Sequence, residues 1–227
     1  MQERVALCNK VEERNLHIFQ KRYHRALVTR VLEAIGSKKK RLLDIGCGYG
    51  NITNILASKG EAVIGIDLQG NFYPPYISPK LDFCRGNALH LPFRDEAFDC
   101  IISLDVLEHM KSGVDFVQEA YRILKRKGVL MIETPNRERL SMRLLSKMSR
   151  HTQSFPKCYG HDSVLGEILH FKEYTKLELH SLFESFNFMQ IDISGMWLGL
   201  VTPEIGLPNA PKVLEDLCQS WIVKAVK

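Results

Sequence analysis

The chain has 227 residues, 45% hydrophobic and 25% charged, with a formal charge of +5. That length suits one well-buried α/β domain and leaves two full domains cramped. The composition excludes a fibrous or disordered chain, and no run of about 18 apolar residues marks a membrane span.

The positive charge gathers at Lys38–Arg41, Lys125–Lys127 and in 137–150. Each cluster reads as a solvated face, because a nucleic-acid footprint is usually stronger and interleaved with exposed aromatics. Cys8, Cys47, Cys84, Cys100, Cys158 and Cys218 are scattered without a C-x-x-C pair, and the N-terminus lacks the apolar core of a secretory signal. A reduced, cytoplasmic protein is the expectation.

Residues 1–36 carry Leu16, Phe19, Tyr23, Leu27, Val31 and Ile35 at helical spacing, and Gly36-Ser37 stops the pattern. One or two helices are expected here, with His17, Tyr23 and His24 in packing or surface roles. Arg41 to Ile45 reads as a short buried strand. Gly46, Gly48 and Gly50 follow at alternate positions, and Asn51 opens a helical pattern. A second strand, Ala62 to Ile66, ends at Asp67. Pro74, Pro75 and Pro79 then deny a normal helix to 69–80.

Strand three is expected over Leu81 to Arg85, strand four over Phe98 to Leu104, a helix over Val114 to Lys125, and strand five over Gly128 to Glu133. Residues 137–172 interrupt the alternation with an amphipathic helix (Leu140, Leu144, Leu145, Met148) and a polar loop, the pattern of a substrate cap or lid. Thr175 caps a helix from Lys176 to Phe186. Strand six runs from Phe188 to Ile193, a helix from Pro211 to Gln219, and a last strand from Trp221 to Val226. Alternating strands and helices of this size predict a doubly wound, mostly parallel sheet with helices on both faces. The whole of 1–227 is read as one domain.

Three features fall at the ends of the first three strands, where open α/β sheets bind ligands. The first is Asp44 with the glycine loop, which lets backbone N–H groups and a helix N-terminus approach a ligand. The second is Asp67, whose carboxylate suits a ribose diol. The third is Asn87, whose amide suits an adenine edge. A nicotinamide dinucleotide is the rival, but the third glycine of G-x-G-x-x-G would fall on Asn51. No Gly-Lys-Ser/Thr completes a Walker loop.

Leu42 to Gly50, Gly65-Ile66-Asp67, Gly86-Asn87-Ala88 with Leu91-Pro92-Phe93, Phe98-Asp99, Ser103 to His109 and Arg122 to Gly128 together resemble the class I S-adenosylmethionine-dependent methyltransferases. Thr134-Pro135-Asn136-Arg137 and His170-Phe171-x-x-Tyr174-Thr175 resemble, more loosely, the ubiquinone-biosynthesis-type and related small-molecule enzymes. The resemblance implies a Rossmann-like sheet of seven strands with the last antiparallel. It implies S-adenosylmethionine as cofactor, with Asp44, Gly46, Cys47 and Gly48 at its methionine end. Asp67 and Leu68 would meet the ribose and adenine, Asn87 and Ala88 the adenine edge, and Leu104 the reactive sulfonium. Asn87 stands where the family commonly has Asp, and the prolines of 69–80 leave an aromatic cover by Phe72 or Tyr73 open.

Methyl transfer is an in-line displacement that depends chiefly on positioning. His109, His170 and His161 are the candidate bases. Asp105, Glu108 and His109 are similar to an E-x-x-E-H motif that holds a divalent ion in some ubiquinone-type relatives, but no metal is expected here, since Asp105 and Glu108 would face solvent or cap a helix. The expected acceptor is a small-molecule oxygen, nitrogen or carbon nucleophile. RNA or protein is the alternative, resting on the basic 137–150 segment. A non-catalytic module that binds S-adenosylmethionine is the reading from another class.

Overall fold

A computed structural model describes residues 18–36, 40–70, 72, 78–148, 170–199 and 206–227. Helix α1 (Ile18–Ile35) leads into β1 (Arg41–Ile45), α2 (Asn51–Ala57) and β2 (Ala62–Asp67). Strands β3 (Leu81–Arg85) and β4 (Phe98–Leu104) follow, then a 3₁₀ turn (Leu107–His109), α3 (Gly113–Ile123) and β5 (Leu124–Pro135). Helices α4 (Leu140–Met148) and α5 (Lys176–Glu184) precede β6 (Gln190–Met196), a small hairpin of β7 (Leu198–Gly199) and β8 (Gly206–Leu207), a 3₁₀ turn (Lys212–Leu217) and β9 (Ser220–Val226).

The main sheet has seven strands in the order β3-β2-β1-β4-β5-β9-β6. Strand β9 runs antiparallel to both neighbours, and the pairings from β3 to β5 are parallel. The order reverses between β1 and β4, which opens a crevice at their C-terminal ends.

Strand periodicity explains how one sheet serves two cores, because successive side chains point to opposite faces. Leu43, Ile101, Leu130 and Ile132 pack with Phe116, Val117, Leu179 and Phe183 of α3 and α5. Leu42, Cys100, Ile102, Val129 and Met131 pack on the other face with Leu27, Val31 and Ile35 of α1 and Leu56 of α2. Each fully buried aliphatic residue contributes roughly 1.5–3 kcal/mol, so a register slip in β4 would expose a whole face.

Three expectations need correction. Helix α3 ends at Ile123 because β5 begins early: Leu124 pairs with Phe98, and a register shift then moves Cys100 onto Val129. The stretch before β9 is a 3₁₀ turn rather than the expected helix. The Asn136 amide donates to the carbonyls of Asp216 and Cys218, which captures acceptors that another helical turn would use. Strand β6 lies two to three residues later than expected, and the β7–β8 hairpin was not foreseen.

Helix α5 starts where Thr175 and Glu178 form a reciprocal capping box. The described parts of 69–80 contain no helix. Cys47, Cys84, Cys100 and Cys218 are free thiols, while Cys8 and Cys158 lie outside the described residues. Among the described residues no helix is long and apolar enough to cross a membrane. Of the cap segment, 149–169 lies outside the described residues.

Candidate active site

The loop after β1 is held by its own backbone. Gly46 N–H and Cys47 N–H both donate to the Ile66 carbonyl, at 2.8 and 3.2 Å. Gly46, Gly48 and Gly50 all take positive φ, at 74°, 51° and 88°, a region costly for residues with a Cβ. They are not equivalent. A Cβ on Gly46 would sit 2.2 Å from Val106 Cγ2, whereas one on Gly48 would meet nothing within 4 Å. Gly46 therefore lets the β4 motif close against the loop, and Gly48 keeps an open cradle.

The Asp67 carboxylate ties that cradle to β2. Its Oδ2 accepts from Gly48 N–H and its Oδ1 from Gln69 N–H, both at 2.9 Å. Each oxygen has a further lone pair for a diol. Asn87 Oδ1 accepts from Leu89 N–H at 2.9 Å, which turns its loop and leaves the amide N–H₂ as its donor face. Phe72 stacks on Phe83 of β3, with centroids 4.9 Å apart, and Tyr73 lies outside the described residues.

These strand ends enclose a cavity of about 570 Å³ whose walls include Gly46, Gly48, Tyr49, Asp67, Leu68, Asn87 and Ala88. Its opposite end is formed by Asp105, Val106, His109, Met110 and Phe171. The volume lies within the roughly 300–1,000 Å³ of small-molecule sites. The open cradle at Gly48, the Asp67 carboxylate and the Asn87 amide fit an adenosine-bearing cofactor. A groove of about 500 Å³ lined by Arg22, Arg25, Arg30 and Asn209 holds none of these strand-end groups.

Three residues expected at the cofactor stand behind the wall. Asp44 is buried and accepts from Thr53 Oγ1 at 2.7 Å; burial, opposed by Thr53 and assisted by Asp67, pushes its carboxyl up to about 6. Cys47 lies against Gly65, and burial raises its thiol. Leu104 packs with the α1-side core. Thr53 was not singled out in the sequence, since a threonine inside a short helix carries no signal.

The other end is built from side chains. The two motifs of the looser resemblance meet here, because Asn136 bridges to Tyr174 and Arg137 N–H donates to the Tyr174 carbonyl. Phe171 N–H and Lys172 N–H donate to the Glu108 carbonyl at 2.7 and 3.1 Å. His170 is thereby carried beside His109, with ring centroids 5.1 Å apart. His109 lines the cavity and His170 stands behind it. His161 lies outside the described residues.

Glu108 does not face solvent, nor does it cap a helix. Ser112 caps α3, while Glu108 is 0% exposed, with Oε2 accepting from Thr134 Oγ1 and Oε1 left without a hydrogen bond. Burial, with the nearby Asp105 charge, pushes its carboxyl up to about 7. Asp105 is exposed at the cavity with a φ of 52°. One oxygen of Glu108 and one ring nitrogen each of His109 and His170 lie within 4.8 Å of one another. Such a set could share protons or hold an ion, and Asp105 is not part of it. Glu133 is also buried; its Oε1 accepts from Tyr23 at 2.8 Å, and burial holds its carboxyl well above the usual range.

The sheet order, the crevice at the reversal and the glycine cradle define the class I methyltransferase fold. A family model described as a methyltransferase domain matches residues 43–132. A protein of Mycolicibacterium smegmatis named a probable S-adenosylmethionine-dependent methyltransferase is 27% identical over 92% of this chain and 70% of its own length. A ubiquinone biosynthesis O-methyltransferase of Azorhizobium caulinodans is 31% identical, over 44% of this chain and 42% of its own. A tRNA U34 carboxymethyltransferase of Pseudomonas paraeruginosa is 34% identical, over 47% and 35%. The solved structure of a Thermotoga maritima methyltransferase, described as a possible histamine N-methyltransferase, superposes with a TM-score of 0.61 at 20% identity, covering 90% of this chain and 91% of that one. Residues 43–132 thus match a methyltransferase domain within a class I methyltransferase fold, and a relative similar along most of this chain is named as S-adenosylmethionine-dependent.

Proposed function

We propose that the chain transfers a methyl group from S-adenosylmethionine to a small-molecule oxygen, nitrogen or carbon nucleophile. The observation that carries the choice of acceptor is the state of the basic segment on which an RNA reading would rest. Arg137 pairs with Glu178 at 2.9 Å, Arg139 with Glu173 at 2.6 Å, and Arg143 with Glu138 at 3.6 Å. Three arginines already engaged by carboxylates make a poor phosphate-tracking surface, since such binding depends on neutralising phosphates.

When bound, S-adenosylmethionine supplies an electrophilic methyl group. Gly46 and Gly48 shape the cradle for its methionine end, Asp67 the place for its ribose, and Asn87 and Ala88 the adenine edge. His109, at the far wall, takes the acceptor's proton, with His170 and Glu108 beside it. Holding the two reactants in line is worth roughly 7–11 kcal/mol, against the roughly 10²–10⁴-fold of a general base.

Calorimetry with S-adenosylmethionine and Asp67→Ala tests the cofactor half. Loss of hydrogen bonds to a charged group, about 1.5–3 kcal/mol, should weaken binding by roughly 10–150-fold. A panel of phenols, amines and activated carbon acids, turned over at low and high salt, tests the acceptor half. Salt-insensitive turnover of one of them is expected, steeply salt-dependent activity on RNA would overturn the acceptor class, and binding without any turnover would leave a non-catalytic module.

A further inference from the structure

Beside His170 stands a carboxylate, Glu173, clamped by the guanidinium of Arg139. Glu173 is 4% exposed, so its carboxylate is held almost entirely by protein. Arg139 grips it with both terminal nitrogens, Nη1 to Oε2 at 2.6 Å and Nη2 to Oε1 at 3.2 Å. Arg139 is itself fixed by donating to the Asn136 carbonyl at 2.8 Å. The remaining side of Oε1 meets His170 Nδ1 at 2.9 Å.

A carboxylate offers only acceptors, so the proton of that last contact must come from His170. An imidazole that donates from Nδ1 in its neutral form has Nε2 as a lone-pair nitrogen. Its ring also belongs to the group in which one atom each of Glu108, His109 and His170 lie within 4.8 Å of one another. A buried carboxylate that fixes tautomer and ring angle, and is itself clamped by a guanidinium, is a device for aiming a histidine.

We propose that Glu173, clamped by Arg139, is a positioning residue of the acceptor side: it keeps the proton of His170 on Nδ1 and so reserves Nε2 to accept one. This rests on the acid–base reading of His109 and His170 given above. In that reading an O–H or N–H bond of the acceptor breaks, and the proton ends within the His109–His170–Glu108 group. Glu173 touches neither acceptor nor cofactor and acts only through His170.

The test is the tautomer of His170, read from ¹⁵N–¹H correlations at alkaline pH and assigned by its loss in His170→Gln. The unsubstituted chain should show the Nδ1–H form. In Glu173→Gln, Arg139 should capture the amide oxygen and turn the N–H₂ toward His170. The ring should then switch to the Nε2–H form, and kcat should fall by about 10²–10⁴-fold while affinity for S-adenosylmethionine stays within about twofold. If Glu173→Gln leaves Arg139 too poorly paired to fold, the double variant Glu173→Leu/Arg139→Met removes both charges, and the Nδ1–H preference should again be lost.

An unchanged tautomer in either variant overturns the inference alone. Wild-type turnover in both His109→Gln and His170→Gln overturns the acid–base reading, and Glu173's part in the reaction with it. A switched tautomer with lost kcat and retained cofactor binding supports both.

Discussion

On the β1–β2–β3 side the cavity wall is shaped by the backbone, with glycines at positive φ and one carboxylate drawing Gly48 N–H and Gln69 N–H together. On the β4–β5 side the wall is backed by paired side chains, with Glu108 reaching Thr134, Tyr23 reaching Glu133 and His170 reaching Glu173. Backbone shape resists substitution but offers little variety, which suits a cofactor that does not change. A side-chain network can be rewired one residue at a time, which suits an acceptor that does. The first wall should therefore fail by steric clash, and the second by titration or mispairing.

The largest effect is expected at the first wall. Gly46→Val forces a side chain into Val106 and holds it at positive φ. Overpacking costs about 1–3 kcal/mol and the left-handed backbone about 1–2 kcal/mol more. Thermal unfolding should shift down accordingly, and calorimetry should find no cofactor binding at concentrations that saturate the wild type. Retained binding would mean the loop is softer than a backbone-built wall allows.

At the second wall the expected signature is pH. Glu108 titrates at about 7 in the folded chain against 4.5 as an ordinary carboxyl. Between these values the folded state holds the proton more tightly than the unfolded state does. Stability from this group is therefore full below about pH 4.5 and falls as pH rises toward 7, by up to about 3 kcal/mol. Denaturant titrations across that range should show the slope, and Glu108→Gln should flatten it. A slope identical in the variant would place the titration elsewhere.

Thr53→Val probes a contact behind the first wall. Asp44 would lose its hydroxyl donor while remaining buried, a cost of about 1–3 kcal/mol, read by the urea midpoint at constant slope. The smallest effect belongs to Arg143→Ala. Its pair with Glu138 is exposed on both sides, so stability should change by less than about 0.5 kcal/mol. A filter-binding assay should find affinity for RNA unaltered. A large drop there would return the basic segment to the acceptor problem.

Residues near one another in sequence made the first wall readable. Gly46, Gly48 and Asp67 lie within one β–α–β unit, so the strand pattern alone puts them at one rim. Asn87 follows the next strand by the same logic. The second wall also joins residues far apart, Glu108 with Thr134 across 26 positions and Tyr23 with Glu133 across 110. Its motifs were visible as two separate runs, Thr134–Arg137 and His170–Thr175, yet nothing in either run states that Asn136 and Tyr174 pair.

What the sequence determined by itself was a doubly wound, mostly parallel sheet with candidate ligand groups at the ends of its first three strands; seven strands and S-adenosylmethionine were what its motifs' resemblance to a family implied. The sheet follows from hydrophobic periodicity, and the loop at its rim from glycines whose conformations few other residues can adopt. Tertiary structure alone decided that Glu108 points inward, that Asp44 and Leu104 stand behind the cofactor wall, and that Glu173 rather than solvent holds His170. A charged side chain carries no local signal of its partner. Whether it meets water, a threonine or an imidazole depends on which distant segment packs over it, and burial then sets its pKa.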